Sequence, residues 1–97
     1  MLTGKQRAYL RSLANRLVTI IHVGKNGINE SLLAQVDEAL RTRELIKGTV
    51  QQNSEIDAAE AAAGIADATD SEIVQIIGRK FVLYRKNEEE PKLIIPE

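Results

Sequence analysis

The sequence predicts one α/β domain with elements in the order α-β-α-β-α-β-β. A four-stranded, mixed sheet is expected, with helices packed on it. Three observations predict this. Segments with apolar residues at helical spacing alternate with short β-branched runs. The last two runs are separated only by Gly78-Arg79, which makes them an antiparallel hairpin, whereas whole helices separate the earlier ones. Finally, 97 residues, 43% of them hydrophobic, suffice for a single core.

Residues 3–16 read as the first helix, with Thr3 as N-cap. Leu10, Leu13, Ala14 and Leu17 make its apolar stripe at i, i+3, i+4 and i+7. The run 18–23, Val-Thr-Ile-Ile-His-Val, is β-branched apart from its histidine and reads as a buried strand. Gly24-Lys25-Asn26-Gly27 ends it. A second helix is expected over 30–43, capped by Asn29. Ile28 and Leu33 are placed to form a hydrophobic staple, and Arg41 and Arg43 suit the C-terminal end of the helix dipole. Residues 45–51 read as a strand that Gly48 should weaken. Ser54 with Asp57 resembles a capping box, opening an alanine-rich helix over about 55–67. Gly64 should cost that helix about 1 kcal/mol relative to alanine. The runs 72–77 and 80–84 are the hairpin strands, with Gly78 at the first central position of a type II′ turn. Residues 88–97 form an acidic tail with two prolines. Its Leu93-Ile94-Ile95 could pair as an edge strand or simply dock. The whole chain, 1–97, is read as one domain.

Composition excludes several kinds of chemistry. Cysteine is absent and His22 is the single histidine, so disulfides, thiolate catalysis and Cys- or His-rich metal sites are ruled out. No signal-peptide pattern opens the chain, and no run approaches the ~20 apolar residues of a membrane span. No membrane association and a cytoplasmic location are the default expectations. Net charge is −1, but it is segregated. Residues 1–27 hold five bases and no acid; 28–70 hold nine acids against three bases; 71–87 hold four bases against one acid. Local field, more than net charge, governs attraction of a polyanion.

The strand–Gly24-Lys25-Asn26-Gly27–helix arrangement is the principal candidate for a site. Its glycines let a sugar–phosphate chain approach the main chain, and the helix that follows directs free N–H groups and partial positive charge at the loop. Lys25 adds a charge and Asn26 a donor. KH domains clamp single strands with a loop of this form. Paired glycines at this spacing are common by chance, so spacing alone leaves a plain turn equally open. The GxxG lacks both the length and the Gly-Lys-Ser/Thr ending of a Walker A loop. His22 reads as a strand residue. Phe81 and Tyr84, three apart on one strand, must face opposite sides, so at most one could stack on a base. That argues for backbone and shape readout over an aromatic platform. No nucleophile elbow, metal-ligand spacing or dinucleotide fingerprint is present, so neither catalytic residue, metal nor cofactor is assigned.

Four blocks carry a family resemblance. They are Leu2-Thr3-Gly4-Lys5-Gln6-Arg7, Val23-Gly24-Lys25-Asn26-Gly27-Ile28, Glu44-Leu45-Ile46-Lys47, and the hairpin from Val74 to Arg85. In this order they resemble the bacterial YhbY-like proteins, stand-alone CRM domains (chloroplast RNA splicing and ribosome maturation). The resemblance implies a fold similar to the C-terminal domain of translation initiation factor 3. It also implies a non-enzymatic RNA-binding protein whose GxxG loop contacts ribosomal RNA of the large-subunit precursor and assists its maturation. By position, it makes Gly24, Lys25, Asn26 and Gly27 the prime RNA contacts. Lys5, Arg7, Arg79, Lys80 and Arg85 become supporting phosphate contacts on a chain acting as a monomer. Gly48 and the acidic balance depart from the family pattern. The alternative reading is a protein-interaction adaptor using the acidic 28–70 surface, with Glu30, Asp37 and Glu38 on it.

Overall fold

Capping rules set the starts of all three helices. In the computed structural model, which describes residues 2–96, the elements are α1 Gly4–Ala14, β1 Thr19–Val23, α2 Glu30–Arg43, β2 Leu45–Val50, α3 Ala58–Thr69, β3 Glu72–Ile77 and β4 Lys80–Tyr84. Thr3 and Gln6 form a reciprocal capping box on α1: Gln6 N–H donates to Thr3 Oγ1 at 3.1 Å, and Thr3 N–H to Gln6 Oε1 at 2.9 Å. Asn29 caps α2 as expected, its Oδ1 accepting from Leu32 N–H at 2.8 Å. The third helix corrects the expectation. Its N-cap is Asp57, which accepts from Glu60 N–H at 2.8 Å, so it begins at Ala58. Ser54 is used earlier, in a local turn where its hydroxyl meets both the N–H and the carbonyl of Ile56.

The sheet order is β1-β2-β4-β3, with β1 and β2 parallel and the other pairs antiparallel. The mixed sheet is therefore as predicted. The crossovers β1–α2–β2 and β2–α3–β3 advance across the sheet in the same direction. Right-handed connections then place both helices on one face, and α2 and α3 do share one core. Leu32, Val36 and Leu40 pack with Ala61, Ala62, Ile65 and Ala66 over Ile21, Val23, Ile46, Val50, Phe81 and Leu83. α1, which joins no two strands, covers the opposite face. Its Leu10 and Ala14 pack on Leu45, Val74, Val82 and Tyr84. The tail docks here through Leu93 and Ile95 and is not a strand.

Gly48 does not leave a weak spot. It faces Phe81 across the β2–β4 pair, and a Cβ there would lie 2.4 Å from Phe81 Cζ. The aromatic ring fills the space a side chain would take, which restores the packing a strand glycine forfeits. At the hairpin, Gly78 has φ +57° and Arg79 does not enter positive φ, as a type II′ turn requires.

Glu44 closes α2 at φ +65° and is fully buried. Its carboxylate accepts from the backbone N–H groups of Asn87 at 2.7 Å, Lys92 at 2.5 Å and Leu93 at 2.7 Å. A buried charge is tolerated only with such satisfaction. This residue straps the tail to the domain.

Candidate nucleic-acid interface

Strand directions gather three connections at one end of the sheet. Val23 pairs with Val50, so the loop after β1 and the β2–α3 connection leave together. β4 runs back from Lys80 beside Thr49, and Ile77 pairs with Lys80, so the Gly78-Arg79 turn lies at that same end. Backbone hydrogen bonds tie them: Gln51 N–H donates to Val23 O, and Val50 N–H to Arg79 O, both at 2.8 Å.

Within this frame Gly24–Gly27 is a four-residue turn, closed by Gly27 N–H donating to Gly24 O at 3.0 Å. Lys25 and Asn26 stand at its exposed tip. The two glycines differ, and only Gly27 is required by its backbone. Gly27 has φ +63°, which L residues rarely adopt. Gly24 lies against Gln51, where an added Cβ would meet Gln51 Oε1 at 2.8 Å. Ile28 then anchors the loop to the core, seated over Gly64 of α3, where a Cβ would come within 2.7 Å of Ile28 Cδ1. Leu33, its predicted staple partner, packs on the same core. Asn29 satisfies one N–H of the first turn of α2, and the rest of that turn has no intrahelical acceptor. The loop is thus a fixed turn with a lysine at its tip and the positive end of a helix dipole behind it.

The other candidate residues divide. Arg79 and Lys80 share the loop's end of the sheet; β4 lies two strands from β1, about 10 Å across. Lys5, Arg7 and Arg85 lie at the opposite end. Lys5 is exposed on the first turn of α1, beside the start of β3, where Leu2 N–H donates to Glu72 at 3.2 Å. The Arg7 guanidinium donates to Ile73 O at 2.7 Å, at the bulge in edge strand β3. Arg85 is bound to Asp37 Oδ1 at 2.6 Å and also donates to the carbonyls of Asp37 and Thr69. It pins β4 to α2 and α3, and it engages the Asp37 carboxylate on the acidic side. Phe81 and Tyr84 are both buried, on opposite faces. Burial, with Glu44, Glu88 and Glu72 nearby, pushes the Tyr84 hydroxyl above its ordinary pKa, so it stays neutral.

One cation escaped the sequence reading. Lys47 projects from β2 onto the α1 side of the sheet, in the part that α1 leaves uncovered. With Lys80, Asn15, Gln75, Ile77 and Val82 it lines a cleft of about 100 Å³. The signal was the period-2 alternation of 45–50: Ile46, Gly48 and Val50 face the main core, while Leu45, Lys47 and Thr49 change from apolar to polar on the other face.

Comparison with known proteins adds to this geometry. A family model described as the CRS1 / YhbY (CRM) domain matches residues 2–85. The probable RNA-binding protein YqeI of Bacillus subtilis is 44% identical over 96 residues, covering 99% of this chain and all of that protein. An RNA-binding protein of Haemophilus influenzae is 36% identical over 88 residues, covering 91% of this chain and 89% of its own length. The solution structure of SAV1595 from Staphylococcus aureus, described as a candidate RNA-binding protein, superposes with a TM-score of 0.82 at 48% identity. The match covers 99% of this chain and all of that one.

Proposed function

Because the chain belongs to the CRS1/YhbY (CRM) domain family, we propose that it is a non-enzymatic RNA-binding protein that grips RNA backbone with Gly24–Gly27. The observation that carries this reading is the convergence at one end of the sheet. A hydrogen-bonded GxxG turn, a helix N-terminus, Arg79 and Lys80 meet there, while Phe81 and Tyr84 are buried and cannot stack on bases. Relatives named for RNA binding support RNA as the partner. The proposed target is ribosomal RNA of the large-subunit precursor, met in the cytoplasm by a monomeric chain that assists subunit maturation. Arg79 and Lys80 act beside the loop. Lys5 is a peripheral contact, and Arg7 and Arg85 contribute by holding the fold.

The test is RNA binding and co-sedimentation with ribosomal particles across a salt series, comparing wild type with Lys25→Glu. If about four phosphates are neutralised, log K falls against log salt with a slope near −3, at ~0.7 per phosphate on single strands. Lys25→Glu should weaken binding and flatten the slope by about 0.7 or more. Binding that ignores salt, or that survives the substitution unchanged, overturns the loop assignment.

A further inference from the structure

The α1 side of the sheet is covered over only half its length. Toward Leu45 and Tyr84, α1 and the tail bury it. Toward the Gly24–Gly27 end, face positions carry Thr19, His22, Lys47, Thr49, Gln75, Ile77 and Lys80. Register places them side by side: Thr19 pairs with Lys47, Thr49 with Lys80, Gln75 with Val82 and Ile77 with Lys80. The Lys80 ammonium reaches across β2 to Thr19 Oγ1 at 3.4 Å, so its charge lies over the sheet. Among the described residues, neither Lys47 nor Lys80 has a carboxylate partner. These face positions include no acid. Ile77 is 63% exposed.

Resting on the RNA reading above, we propose that this open half-sheet is a second contact surface, which takes the single strand as it leaves the loop. Charge complementarity selects the occupant: two unpaired ammonium groups with hydroxyl and amide neighbours and no carboxylate suit a phosphodiester chain. They suit an acidic or apolar protein segment less, because the face has no continuous apolar strip. Lys47 and Lys80 are diagonal neighbours on adjacent strands, a relation of about 7–8 Å between backbone positions. Each can therefore meet a different phosphate. The ammonium contacts follow backbone and not base identity, and the exposed imidazole of His22, beside Thr49, is the ring this face presents.

The test compares wild type, Lys47→Gln/Lys80→Gln and Lys25→Glu on oligouridylates of two lengths. One has about four nucleotides, the span a loop of this form clamps. The other has about 12, within the range of single-strand sites. Arg41→Gln/Arg43→Gln on α2 removes the same charge from the other side of the sheet. Circular dichroism melts check that each variant folds. On the short oligomer the Lys47/Lys80 variant should lose no more than the ~0.7 of salt slope that Lys80 supplies beside the loop. On the long one its salt slope should be shallower by about 1.4, at ~0.7 per phosphate. Its deficit against wild type should then shrink about sevenfold between 50 and 200 mM salt. The Arg41/Arg43 variant should leave the slope alone. If Lys25→Glu weakens binding while the Lys47/Lys80 variant keeps the wild-type slope, the half-sheet is not a contact and only this inference falls. Equal slope losses in both double variants would show a general field and overturn it as well. A wild-type chain that binds neither oligomer nor ribosomal RNA overturns the loop function itself.

Discussion

Gly48 and Gly27 look alike in sequence but obey different physics. Gly27 is required by its own backbone, at φ +63° with nothing near the missing side chain. Gly48 is required by a neighbour, because the Phe81 ring occupies the place of its side chain, at 2.4 to 3.0 Å from a would-be Cβ. The first kind is legible, since a glycine after a strand and before a helix announces a turn. The second is not, because it depends on pairing between residues 33 apart in the chain. A glycine in a strand therefore read as a weakness when it is half of a packed pair. Gly48→Ala should destabilise the domain by about 1–3 kcal/mol through overpacking. Combined with Phe81→Leu, which makes room, the loss should fall below the sum of the single losses by more than ~0.5 kcal/mol. Urea unfolding of the four chains measures this, and additive losses would remove Phe81 as the reason for the glycine.

Among the elements, periodicity identified every helix and strand, while the ends depended on competition it could not weigh. Two good capping residues, Ser54 and Asp57, precede α3, and tertiary placement chose the second. The tail shows the same limit. Its Leu93 and Ile95 suit a strand or a docked segment equally, and what decides is Glu44, a residue that reads as one more surface acid beside Arg43. Its three accepted N–H bonds come from positions 43 to 49 residues away. Glu44→Gln turns one acceptor oxygen into a donor facing those N–H groups. It should cost about 1.5–3 kcal/mol, in the range for hydrogen bonds to a charged group. Ending the chain after Asn87 removes two of the three donors, so the same substitution should matter less in that background. Thermal or urea unfolding of the two substitutions, alone and combined, supplies the measurement. An undiminished Glu44→Gln effect in the shortened chain would mean that the carboxylate is held by something other than the tail.

For the molecule as a whole, charge segregation along the sequence becomes segregation across the sheet. The acid-free first 27 residues supply α1 and the loop, and the acids of 28–70 go mainly to α2 and α3 and their caps. The segregation was visible in sequence, but its direction in space was not. It follows from two crossovers advancing the same way and from the register that turns Lys47 to the α1 side. Lys5 and Arg7 belong to the acid-free segment yet sit at the wrong end for the loop, because α1 runs toward the loop from the far end of the sheet. The geometry also decides what the acids can do to RNA. Acids on the outer side of α2 and α3 stand roughly one helix diameter, ~10 Å, from the sheet. The Debye length at physiological salt is about 8 Å. Their repulsion of a strand on the opposite face is therefore largely screened there and is felt only in dilute salt. Neutralising Glu38, Glu60 and Asp67 together, each to its amide, should strengthen RNA binding at low ionic strength and change it less than about twofold at physiological salt. A fluorescence titration at both salt concentrations tests this. A large gain that persists at physiological salt would place RNA near α2 and α3. Unchanged RNA binding with loss of a captured protein would instead give the acidic helices a partner of their own.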